Sequence, residues 1–94
     1  TKKVGIALVT AGGASANAIT GVISAWADSI PGIIISGQEN LKYVNGYKKH
    51  NLRMWGIQGF DSVKMVKSIT KYSNRLTDPK NIFYELEYSH LISL

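Results

Sequence analysis

Two short stretches of this 94-residue chain carry residue types whose spacing could do chemistry: Thr10-Ala11-Gly12-Gly13-Ala14-Ser15-Ala16-Asn17 and Ser36-Gly37-Gln38. A glycine pair lets backbone approach a ligand closely. If a helix starts there, its first N–H groups are unsatisfied and favour an anion or a polar heteroatom. Glycines at such turns also serve only to bring a strand and a helix together, and local chemistry does not separate the two uses. The other candidates are poorer. His50 falls in a basic polar stretch and His90 in a helical pattern, with no serine or carboxylate placed to complete a triad with either. Glu85 and Glu87, two apart on an expected helix, diverge and make no paired-carboxylate site. GxGxxG, GxxxxGK[ST] and metal-ligand spacings are absent, so dinucleotide, P-loop and zinc readings lack support and no metal ligands are expected.

The elements that must position the glycine turn are legible around it. Val4 to Val9 is a continuous apolar run, the pattern of a central strand buried on both faces. Ile19, Val22, Ile23 and Trp26 recur at helical spacing, which predicts a helix capped by Ser15 or Asn17, with Trp26 in the core. Asp28 and Pro31 end it, and β-branched Ile33-Ile34-Ile35 predicts a second buried strand closed by Ser36-Gly37. Strand, helix and strand within some thirty residues make a right-handed βαβ unit and hence a parallel sheet.

From Glu39 to Gly59 the periodicity is lost, and a loop this long in a small domain is expected to line something. Trp55 within it reads as a packing residue. Asp61 is placed to cap a short helix carrying Val63, Met65, Val66 and Ile69, and Thr70 to Leu76 reads as a polar edge strand. Asp78 and Pro79 suit a cap and a first helical position. The helix they open has Ile82, Phe83, Leu86 and His90 as its expected buried stripe.

Composition bounds the answer. The length allows one small domain with a thin core, and 45% hydrophobic residues with mean hydropathy near zero fit a folded chain. The apolar stretch from Ala14 to Ile35 is broken by Asp28 and Pro31, so no membrane span is expected. Without cysteine there is no disulfide framework, which suits a cytoplasmic setting. The net charge of +5 is spread along the chain with no nucleic-acid-reading motif beside it, and it reads as solvated surface.

The string GIALVTAGGASANAITGVISAWADSIPGIIISGQ closely resembles the N-terminal, pyrimidine-binding domain of thiamine-diphosphate-dependent enzymes, in particular those of the acetolactate (acetohydroxyacid) synthase type. GIQGFD, VKSITKY and DPKNIFYELE resemble later segments of that family in the same order, so the similarity covers nearly the whole chain. The family's turn reads TSGPGATN; Thr10, Gly12 and Asn17 match it, while Gly13 stands at its proline and Ala14 at its second glycine. Ser36-Gly37-Gln38 matches the family's SGQ, and Gln58 matches the glutamine of its Phe-Gln-Glu motif, with Ile57 and Gly59 beside it.

The resemblance implies an α/β fold, a three-layer sandwich in which helices flank a mostly parallel sheet, of flavodoxin- or Rossmann-like type. It implies that Thr10, Gly12, Gly13, Asn17 and Gln38 bind the aminopyrimidine of thiamine diphosphate and that Gln58 borders the channel of a 2-oxo acid substrate. Family members activate the cofactor through a glutamate bonded to the pyrimidine N1′, and none of Asp28, Glu39, Asp61, Asp78, Glu85 or Glu87 matches it. Residues 1–94 are therefore expected to be a partial pyrimidine-binding domain, missing its first strands and its last. In the parent enzyme Mg2+ is held through a separate diphosphate-binding domain, FAD is possible, and a homodimer or tetramer is expected. Decarboxylation and carboligation are the implied reactions. Two other readings stay open, a flavodoxin-like module holding a phosphorylated ligand at Gly12-Gly13 and a non-catalytic homologue.

Overall fold

The computed structural model describes residues 3–43, 49–53 and 60–94. Strand β1 (Gly5–Val9) leads through a turn at Thr10–Gly12 into helix α1 (Gly13–Ala27), and strand β2 (Gly32–Ser36) returns parallel to β1. The register pairs Ile6 with Ile33, Ala7 with Ile34 and Leu8 with Ile35, so apolar residues face one another along the middle of the ladder, between a glycine pair at one end and Val9 opposite Ser36 at the other. The class is α/β with a parallel sheet, as expected; among the described residues that sheet has two strands. Helix α2 (Ser62–Val66) runs on into a 3₁₀ turn at Lys67–Ile69, and a second 3₁₀ turn at Pro79–Asn81 opens helix α3 (Ile82–Ser93). α1 packs on β1 and on α2 with its 3₁₀ extension, whereas α3 packs on β2.

Three local signals act as the sequence predicts. Asp61 caps α2 by accepting from the Lys64 N–H at 3.0 Å, and Asp78 accepts from the Lys80 N–H at 3.0 Å with Pro79 in the first turn. α1 stops at Asp28, through a Schellman pair of bonds from the Ile30 N–H to the Ala25 carbonyl at 2.8 Å and from the Ser29 N–H to the Trp26 carbonyl at 3.3 Å.

Other expectations are corrected. Neither Ser15 nor Asn17 caps α1: the helix begins earlier, at Gly13, with Gly12 as its N-cap and no side-chain capping bond. β1 is not buried on both faces, since Ile6 and Leu8 are 67% and 77% exposed with no described element over them. Trp26 is not in the core but 59% exposed, and of its helical stripe Ile19 and Val22 alone are half-buried. Thr70 to Leu76 forms no strand; it runs as irregular chain, fastened by side chains rather than by a ladder.

The stripe proposed for α3 also faces outward, with Phe83 78% exposed and Ile82, Leu86 and His90 exposed too. The face that packs carries Glu85, Tyr88, Ser89 and Ile92, spaced i, i+3, i+4 and i+7. Hydrogen bonds and ring contacts with the segment after the first 3₁₀ turn select it. Tyr72 Oη donates to Glu85 Oε2 at 2.7 Å, Asn74 Nδ2 donates to Glu85 Oε1 at 2.9 Å, and the Tyr72 ring meets Tyr88 edge-on at 4.8 Å.

Candidate functional site

The carboxyl ends of parallel strands are where open α/β sheets leave a crevice for ligands, and both chemically promising turns lie there. The turn after β1 rests on Gly12, whose φ of 72° and ψ of −129° are open to glycine and costly for residues with a Cβ. Its carbonyl accepts twice, from the Ser15 hydroxyl at 2.9 Å and from the Ala16 N–H at 3.0 Å. Ser15 is 6% exposed and so locks the turn from inside the helix. No side chain among the described residues caps α1, and a Cβ at Gly13 would meet nothing within 4 Å, so the first N–H groups of the helix are left without a side-chain partner there.

The second turn is seated directly against the first. The Gly37 N–H donates to the Val9 carbonyl at 2.8 Å, carrying the parallel pairing one residue past β2. A Cβ at Gly37 would lie 3.1 Å from the Ala11 nitrogen and 3.6 Å from Thr10 backbone atoms, so the absence of a side chain is what permits this approach. Ser36 Oγ donates to the Gly37 carbonyl at 2.9 Å. Gln38 turns away: its Nε2 donates to the Phe60 carbonyl at 3.3 Å and its Oε1 accepts from the Glu39 N–H at 2.9 Å.

The fold thus brings Thr10, Gly12 and Gly13 together with the backbone of Gly37 at one end of the sheet. Asn17 is exposed on α1, one turn beyond Gly13. Gln38 belongs to the same end, but its amide is spent on Phe60 and Glu39. Gln58, Ile57, Gly59 and Trp55 lie outside the described residues. The reading of the sequence missed Ser15 as the turn lock and Gly37 as the contact point. The signal for Gly37 was its position directly after the β-branched strand, facing the other glycine turn once the strands are parallel.

Among the described residues no group of three or more His, Asp or Glu side chains is gathered to hold a metal ion, and no helix is long and apolar enough to cross a membrane.

Comparison with known proteins gives a consistent result. The family described as thiamine pyrophosphate enzyme, N-terminal TPP binding domain, matches residues 1–71, a span that includes both turns and α2. The acetolactate synthase large subunit of Haemophilus influenzae is 58% identical over 38 residues, which is 40% of this chain and 7% of that protein. The acetolactate synthase isozyme 3 large subunit of Escherichia coli is 37% identical over 73 residues, 78% of this chain and 11% of that protein. The acetolactate synthase large subunit of Lactococcus lactis is 30% identical over 80 residues, 85% of this chain and 12% of that protein. The chain therefore spans about a tenth of the length of these relatives. No solved structure matches it.

Proposed function

The chain belongs to the thiamine pyrophosphate enzyme family as an N-terminal TPP binding domain, and on that premise we propose that it holds the aminopyrimidine half of thiamine diphosphate within a longer enzyme. That enzyme is a 2-oxo acid decarboxylase and carboligase similar to acetolactate synthase. The observation that carries the reading is the joint seating of the two turns inside the matched span, at the carboxyl ends of β1 and β2. The residues present fit the group: the glycine turn offers uncapped N–H donors and no Cβ at Gly12 or Gly13, which suits a flat heteroaromatic ring with nitrogen acceptors.

In this reading Thr10, Gly12 and Gly13 line one edge of the ring and Asn17 bonds it from the next helical turn. Gln58 serves the 2-oxo acid. When bound, thiamine diphosphate supplies the electron sink that decarboxylation of a 2-oxo acid requires. Mg2+ and the diphosphate are held by another domain, FAD accompanies them if the parent follows the synthase pattern, and the parent enzyme is a cytoplasmic dimer or tetramer.

The test is a titration of the full-length enzyme with thiamine diphosphate in the presence of Mg2+, for wild type and Asn17→Ala. Asn17 makes no capping bond, so the variant should keep its Tm while its cofactor Kd rises about tenfold, equivalent to ~1.4 kcal/mol. A wild-type enzyme that does not bind thiamine diphosphate would overturn the reading. An unchanged Kd in Asn17→Ala would remove Asn17 from the site.

A further inference from the structure

We infer that Gly37, to which the family reading assigns no contact with the cofactor, is the positioning residue of the pyrimidine site: its missing side chain lets the turn after β2 set the position of Thr10–Gly12. The inference rests on the thiamine diphosphate reading for its functional consequence, while its structural part stands on geometry alone. The Gly37 N–H is tied to the Val9 carbonyl at 2.8 Å, which fixes the residue immediately before the glycine turn. The space a Cβ would need at Gly37 holds the Ala11 nitrogen at 3.1 Å. That neighbour is backbone, and it stands one residue from Gly12, so it cannot yield as a flexible side chain would.

Gln38 closes the arrangement from the other side. Its amide bonds to the Phe60 carbonyl at 3.3 Å and the Glu39 N–H at 2.9 Å hold residues 37–38 between the glycine turn and the start of α2. Asp61, the next residue, is itself held by its cap on Lys64 and by Arg75 Nη2 at 3.2 Å, so the Phe60 anchor sits on a fixed base. Gln38 accordingly supports the site through Gly37. Glycines elsewhere on the sheet lack this constraint: a Cβ at Gly32 would meet the Gly5 carbonyl oxygen at an ordinary 3.6 Å, and one at Gly5 would meet nothing within 4 Å.

The experiment compares Gly37→Ala, Gln38→Met and the control Gly32→Ala in the full-length enzyme. Two ligands are titrated with Mg2+ present: thiamine diphosphate, and hydroxyethylthiazole diphosphate, which lacks the pyrimidine ring. Gly37→Ala should weaken thiamine diphosphate by about tenfold and leave the thiazole diphosphate unchanged; Gln38→Met should show the same pattern more weakly, and Gly32→Ala neither effect. In the ligand-free enzyme, amide hydrogen exchange at Ala11–Gly13 should speed up in Gly37→Ala and in Gln38→Met. Equal weakening of both ligands would mean a general loss of structure and overturn the inference, as would wild-type thiamine diphosphate affinity in Gly37→Ala. If the wild-type enzyme binds neither ligand, the thiamine diphosphate reading fails, and the exchange measurement decides the positioning role on its own: unchanged rates at Ala11–Gly13 would overturn it. Should Gly37→Ala fail to fold, Gln38→Met carries both measurements.

Discussion

Glu85 commits both carboxylate oxygens, one to the Tyr72 hydroxyl at 2.7 Å and one to the Asn74 amide at 2.9 Å, and so joins α3 to a segment with no regular backbone bonding of its own. The bond to Glu85, more than desolvation or charge repulsion, raises the Tyr72 phenol above its ordinary value of 10.0, because the neutral phenol is the form that donates. A group whose folded pKa is raised contributes stability that is complete below the unfolded value and is lost as pH climbs through the folded one. In the full-length enzyme, stability to denaturant should therefore weaken on going from neutral pH to above pH 10.0, and Tyr72→Phe should flatten that alkaline slope. An equal slope in wild type and variant would show that the bond contributes nothing to folding. Glu85→Ala removes the acceptor of both bonds and should lower the denaturation midpoint as well as flatten the same alkaline slope.

At the scale of the element, α1 is secured unequally at its two ends. Its start has an intrinsically favourable glycine turn but no side-chain cap, which leaves N–H groups for a ligand at some cost to the helix itself. Its end is a complete Schellman motif, except that Ser29 occupies the left-handed position with φ of 55°, where glycine is the usual residue. A Cβ there costs roughly 1 kcal/mol or more, offset in part by the smaller unfolded-state entropy of serine relative to glycine. Ser29→Gly should raise stability by about 0.5 kcal/mol on that balance, read as a higher denaturation midpoint of the full-length enzyme. A lower midpoint would mean that the serine side chain is itself needed at the end of the helix.

At the scale of the whole molecule, the surface exceeds that expected of a compact monomer of this mass, and many large apolar side chains among the described residues are exposed. The accessible area is 7260 Å², against about 5,400 Å² from the size scaling of compact monomers applied to a 10.3 kDa chain. No large side chain is fully buried among the described residues, and Phe83, Tyr84, Leu91 and Leu94 lie 62–78% exposed along the outer face of α3. The outer faces of β1 and α1 add Ile6, Leu8, Ile23 and Trp26. Apolar patches on this scale mark surfaces that bind other protein or aggregate. The 94-residue chain expressed by itself should thus self-associate, with a sedimentation coefficient that rises with concentration. A concentration-independent monomer with a sharp, cooperative melt would contradict this.

What the sequence by itself determined was local. The order of strand, glycine turn, helix and strand is written in β-branched runs and helical spacing; the starts of α2 and of the turn before α3 are written in Asp61, Asp78 and Pro79. Each of those signals acts within about four residues, so no distant contact is needed to read it. The string from Gly5 to Gln38, with TAGG and SGQ inside it, likewise carried most of the family resemblance, and the family match covers residues 1–71. Tertiary structure decided which faces pack. Periodicity showed that α3 is a helix but chose its apolar stripe as the inner one, whereas Tyr72 and Asn74 give the Glu85–Tyr88 face a partner that Phe83 and Leu86 lack among the described residues. The seating of Gly37 on Ala11 is of the same kind: it exists only because parallel pairing brings two turns, more than twenty residues apart, to one end of the sheet. A contact between residues so distant in sequence leaves no periodic trace, since it depends on register and on where each turn places its backbone.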